Sequence, residues 1–143
     1  MPPDEDSGEL VFFVDRCLGA QAVPEALRRA GASVQVHGDH FAADARDEDI
    51  LALVGKNRWV FLSKDKRIRY RTAELQALAE AQVAAFISTS GNAAGQALGG
   101  AFAAALPRMR QLCRTHTRPL IGTVALSGVV QILLGSRRGG VRR

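Results

Sequence analysis

The sequence predicts an α/β protein, a three-layer α/β/α sandwich built on a mostly parallel central sheet. Three observations lead there. Short apolar runs of strand length alternate along the chain with helical segments. The runs LVFFV, WVFLS and VAAFIS are apolar throughout rather than at every second residue, as strands covered on both faces require. The chain has 143 residues, enough for one core and not two. Strand–helix alternation with doubly covered strands is the pattern of a parallel sheet flanked by helices.

Residues 10–15, LVFFVD, read as a buried strand whose carboxyl end carries Asp15. Val23 to Ala30 read as a helix, with Pro24 in its first turn and Gly31 just past its end. SVQVH at 33–37 alternates like a second strand, and GDHFAADA is loop. Asp47 is placed to cap a helix over 48–55 that Gly55 stops. RWVFLS is a third strand running into Lys64-Asp65, followed by a basic stretch and a helix near 72–81. VAAFIS at 83–88 is a fourth strand, entering the loop Thr89-Ser90-Gly91-Asn92. A long Ala-rich helix over 93–114 follows, which Pro107 is expected to kink or split. Residues 120–125 and 129–134 form a hairpin through Leu126-Ser127-Gly128. Its apolar surface could be the edge of the sheet or the contact of a homodimer. The expected organisation is a flexible N-terminus at 1–9, one domain at 10–135 and a basic flexible tail at 136–143.

Composition removes several classes. With 47% hydrophobic and 23% charged residues the chain is not mainly disordered. No uncharged apolar stretch reaches the ~18–20 residues of a membrane span. MPPDEDSGE lacks the basic and apolar regions of a signal peptide. Cys17 and Cys113 are too few for a disulfide framework or a zinc site, so a cytoplasmic protein with reduced thiols and no membrane partner is expected.

The charge is segregated beneath a net +5: all 14 acidic residues lie at or before Glu80, while residues 81–143 hold eight Arg and no acid. A second basic cluster comprises Lys64, Lys66, Arg67, Arg69 and Arg71. Clustered Arg and Lys suit a polyanion, whose counterions are released on binding. In open parallel sheets ligands bind beyond the carboxyl ends of the strands, where strand order reverses. That rule brings together Asp15, Asp65 and Asn92, with the run Asp47, Glu48 and Asp49 as further acids. Converging carboxylates repel unless a cation or proton neutralises them. Oxygen-only donors suit Mg²⁺ or Mn²⁺, which can activate water and stabilise charge on a phosphoryl oxygen. Basic residues around such a site point to a nucleic-acid phosphodiester. Asp47 serves equally well as a helix cap, and Glu48 or Asp49 as acids favoured at a helix N-terminus.

The segments LVFFVDRCLG, VPEALRRAGASVQVHGDHF, DARDEDIL, WVFLSKDKRIRYR and FISTSGN, in that order, resemble the PIN-like domains of the VapC-like bacterial toxin type. The likeness covers about residues 10–114 and is strongest in VDRCLG and LSKDKRIR. It implies an α/β/α sandwich and a ribonuclease, a hydrolase that uses Mg²⁺ or Mn²⁺, with RNA as substrate; many members are toxins silenced by a cognate antitoxin. Asp15 matches the first acid of the pattern and Asp65 the third; the second falls within Asp47–Glu48–Asp49, with Asp47 and Glu48 favoured. The implied catalytic set is Asp15, Asp47, Glu48 and Asp65. The implied metal set is Asp15, Glu48, Asp65 and Asn92, and Lys64, Lys66, Arg67 and Arg69 grip the RNA backbone. Asn92 departs from the pattern, which often has an acid there, and the helical insertion between the first two acids is missing. A nucleic-acid-binding module with weak or no catalysis is therefore the alternative. A phosphatase ranks last, because no second acid closely follows Asp15.

Other features carry less. His37 and His40 have no further ligand pair and read as a solvated turn. Cys17 has no histidine at a nucleophile's spacing and reads as a buried structural thiol. The glycines of SGNAAGQALGG lack the Lys-Ser/Thr of a phosphate loop and suit close helix–sheet packing. Trp59 and Phe61 read as core.

Overall fold

A computed structural model describes residues 10–138, apart from the side chains of Arg69 and Tyr70. Among these residues the order is β1 (Val11–Val14), α1 (Ala22–Arg29), β2 (Ser33–Val36), α2 (Asp47–Lys56), β3 (Val60–Ser63), α3 (Arg67–Tyr70), α4 (Thr72–Glu80), β4 (Ala84–Ser88), α5 (Gly95–Thr115), β5 (His116–Val124) and β6 (Val130–Arg137). One six-stranded sheet runs in the order β2-β1-β3-β4-β5-β6. The first five strands are parallel, and β6 returns antiparallel to β5.

The uninterrupted apolar runs have the predicted cause. Phe12, Val14, Val60, Leu62 and Phe86 face a core closed by Val23 and Leu27 of α1 and Leu98, Phe102 and Met109 of α5. Their neighbours Phe13, Phe61, Ala85 and Ile87 face a second core closed by Ile50 and Val54 of α2, Ile68 of α3 and Leu78 of α4. The sheet is thus buried on both sides, which makes the three-layer sandwich.

Several local expectations need correction. Arg46, not Asp47, holds the cap position of α2, and Asp47 is its first helical residue, with its carboxylate 3.8 Å from the Arg16 guanidinium. Gly55 does not end α2, which continues to Lys56. A Cβ at Gly55 would stand 2.4 Å from the Ala81 carbonyl oxygen, so the glycine permits close passage of α2 past the end of α4. Pro107 does not split α5, a single helix of 21 residues. Buried Ala105, Leu106, Met109 and Leu112 anchor it on both sides of the proline, so core packing outweighs one missing hydrogen bond. Gly99 serves helix–helix rather than helix–sheet packing: its Cβ would lie 2.9 Å from the Ala22 carbonyl oxygen of α1.

The hairpin β5–β6 forms as expected, with its turn closed by Gly128 N–H donating to Ala125 O. β6 is an edge strand exposing Ile132, Leu133 and Leu134. Ser136 and Arg137, at the start of the expected tail, belong to β6, and Arg138 donates to the carbonyls of Arg114 and His116. Residues 139–143, and the expected flexible segment 1–9, lie outside the described residues. Among the described residues no helix is long and apolar enough to cross a membrane.

Candidate active site

Strand order reverses between β1 and β3, since the connection from β1 goes to β2 on one side and the next strand lands on the other. The carboxyl ends of these two strands carry the acids. Asp15 follows β1 directly and extends the ladder, its N–H donating to Leu62 O at 3.0 Å. Asp65 stands two residues past β3. The reversal therefore leaves a gap between the two connections and lines it with carboxylates.

Asp15 is held by uncharged donors. Arg16 N–H donates to Oδ1 at 2.8 Å and the Ser63 hydroxyl to Oδ2 at 2.9 Å, with the Cys17 thiol also donating to Oδ2 at 3.3 Å. Ser63, fully buried at the end of β3, also accepts from Asp65 N–H at 3.1 Å, so one hydroxyl couples the two acids. Cys17 is half-buried rather than buried, and it touches the Ser63 hydroxyl at 3.3 Å. Burial and the Asp15 charge push its pKa up to about 11, which keeps it a thiol.

Asp65 is held differently. Arg67 donates its backbone N–H to Oδ1 at 3.0 Å and its Nη2 to Oδ2 at 2.6 Å, with Nε 3.0 Å from both oxygens. These hydrogen bonds hold the Asp65 carboxyl below the usual range against partial burial, and they raise the Arg67 pKa in turn. Asp47 and Glu74 add to the negative field on Arg67.

Two adjoining clefts share Asp15, Asp47 and Asp65. The outer one, about 490 Å³, is also lined by Lys64, Lys66, Arg67 and Asn92. The inner one, about 250 Å³, has an apolar floor including Phe61, Ile68 and Leu78, with Glu48 and Glu74 on its wall. The structure thus brings together Asp15, Asp47, Glu48, Asp65, Asn92, Lys64, Lys66 and Arg67. Asp49 lines neither cleft and pairs with Arg46 at 3.4 Å. The side chain of Arg69 lies outside those described. His37 is buried, its ring Nε2 2.9 Å from Ala42 O, and His40 meets Gln35 Oε1 at 2.7 Å, away from the acids. Trp59 and Phe61 both stack on Phe13 in the core.

Ser63 and Glu74 were missed from sequence. Ser63 carried a usable signal, a hydroxyl ending an apolar strand one position before the Lys64-Asp65 pair. Glu74 carried none, since an acid in the first turn of a helix is ordinary. Among the described residues, no three acidic, histidine or cysteine side chains stand close enough together to hold a metal ion as placed. The donor chemistry nonetheless fits a hard divalent cation: the donors are carboxylates, and Glu74 Oε2 is buried without a hydrogen-bond partner on the same cleft wall.

Residues 10–90 match the family model described as a PIN like domain. The chain is 27% identical over 126 residues to a Mycobacterium tuberculosis protein named "Putative ribonuclease VapC45", covering 85% of this chain and 91% of that one. No solved structure matches. Strand–helix order, the acids at the β1–β3 reversal and a family match over more than half its length together make this chain a member of the PIN-like domain family.

Proposed function

We propose that the protein is a metal-dependent endoribonuclease that hydrolyses RNA phosphodiesters, the toxin of a toxin–antitoxin pair. The observation that carries this reading is the cleft in which Asp15 and Asp65 flank the strand reversal while Lys64, Lys66 and Arg67 line the same opening. The name of the mycobacterial relative supports the substrate class.

Bound Mg²⁺ or Mn²⁺ would activate the attacking water and offset the charge that develops on the scissile phosphate. Asp15 and Asp65 would hold the cation, with Glu48 or Asp47 as the third acid and the Asn92 carbonyl available where other members often place a carboxylate. Ser63 fixes the direction of the Asp15 carboxylate, so that its oxygens need no reorganisation when the cation arrives. Lys64 and Lys66 take the RNA phosphates, contacts that position the strand without reading its sequence. Arg67, once exchanged off Asp65, joins them. The side chain of Arg69 is a further candidate in the same stretch. A cognate antitoxin is the proposed protein partner.

The test is incubation of the purified protein with single-stranded and structured RNAs in Mg²⁺, Mn²⁺ or EDTA, beside Asp15→Asn and Asp65→Asn. Cleavage that EDTA and each substitution reduce by at least about 10²-fold is expected. RNA that is bound but not cut in any metal would replace this reading by the binding-module alternative, for which the neutral Asn92 is the specific support.

A further inference from the structure

The inner cleft has an apolar surface for which metal binding has no use. Ile50, Phe61, Ile68 and Leu78 are buried around it, and Ala73 and Ala77 line it from one face of α4. A longer side chain at either alanine would fill part of the space. At about 250 Å³ the cleft is smaller than the ~300–1,000 Å³ pockets that enclose drug-sized ligands, the scale of a single planar ring system. Glu48 and Glu74, which line this cleft and not the outer one, offer only acceptors when ionised. The outer cleft, lined by Lys64, Lys66 and Arg67, meets the inner one along Asp15, Asp47 and Asp65. An occupant that satisfies both clefts joins a phosphate to a flat apolar group whose edge donates hydrogen bonds. A nucleotide whose base carries an exocyclic amino group has that combination.

We propose that the inner cleft is a base-binding subsite, which receives one unstacked adenine, cytosine or guanine of the RNA while the adjoining phosphates lie along the basic outer cleft. The inference rests on the ribonuclease reading above and deepens it: the substrate is unpaired RNA with an amino-bearing base beside the scissile phosphate. A base must leave its stack to enter a walled cavity, which costs least in single-stranded segments. The apolar floor takes the face of the ring. Glu74, with whichever of Asp47 and Glu48 the cation leaves free, accepts from the amino group. Uracil presents a carbonyl oxygen at that position, which carboxylates repel.

The test compares cleavage of single-stranded oligouridines carrying one internal adenine, cytosine or guanine with cleavage of the all-uridine strand, by wild type and by Ala77→Leu. The substitution fills the cleft and leaves every acid in place. Wild type is expected to show a kcat/KM at least about 10-fold higher on one or more of the amino-bearing strands, a ratio that falls to about one in Ala77→Leu. Equal cleavage of all strands by wild type, or a preference that Ala77→Leu retains, overturns the inference and leaves the ribonuclease reading intact. If Ala77→Leu folds poorly, Ala73→Leu, at an exposed position on the same wall, takes its place and is read in the same way. If wild type cuts no strand, the ribonuclease reading falls separately, and fluorescence anisotropy with the same strands in EDTA decides the inference. A binding preference that the leucine removes sustains it; equal binding, or a preference that the leucine leaves, overturns it.

Discussion

The two walls of the cleft hold equivalent acids by opposite means. On the β1 side Asp15 is oriented by a hydroxyl, a thiol and a backbone N–H, none of them charged. On the β3 side Asp65 is clamped by the guanidinium of Arg67. Neutral donors orient a carboxylate while leaving its charge for an incoming cation, whereas a guanidinium cancels that charge. On the proposed function a cation would therefore meet the Asp15 carboxylate directly and would compete with the Arg67 guanidinium for Asp65.

The largest expected effect that sharpens this contrast comes from Ser63→Ala. The hydroxyl donates to the Asp15 carboxylate and accepts from the Asp65 backbone N–H, so its loss should weaken Mn²⁺ binding and slow RNA cleavage about 10- to 100-fold, measured by titration and by initial rates. An effect confined to melting temperature would make Ser63 merely structural.

Arg67→Gln should act in the other direction on the metal. Removing a half-exposed ion pair, worth about 1 kcal/mol or less, should raise Mn²⁺ affinity severalfold while RNA binding weakens. The same variant checks the electrostatics by acid titration. The Asp65 carboxyl is lowered in the folded protein, so its pairing stabilises above the unfolded value of about 4 and that contribution is lost as pH falls through the folded value. Wild type should therefore lose more melting temperature on acidification than Arg67→Gln does.

The smallest effect is a null one. With its pKa pushed up to about 11, Cys17 should not react with a thiol reagent at pH 8 in the native protein. Both cysteines, the buried Cys113 included, should react once the chain is unfolded.

What was legible in the sequence, and what was not, divides along physical lines. The sandwich could be read because continuous apolar runs such as LVFFV have few explanations besides burial on both faces. Asp15 and Asp65 could be read because an acid ending such a run must lie at a strand's carboxyl end, and parallel strands bring those ends together. The terminations of α2 and α5 could not, because Gly55 and Pro107 are ruled by what packs against them, Ala81 in one case and the buried face of α5 in the other. The Arg67 clamp was invisible for a related reason: a basic run beside an acid looks the same whether its members face solvent, RNA or the acid itself. Glu74 needed the third dimension altogether, since only the packing of α4 carries it to the cleft.

Crystals grown with Mn²⁺ and measured for anomalous scattering would test the central claim most directly. The account predicts a peak bonded to both Asp15 and Asp65, with the Arg67 guanidinium displaced from Asp65. A cleft without a peak at saturating Mn²⁺, or a peak elsewhere with the Asp65–Arg67 clamp intact, would contradict it.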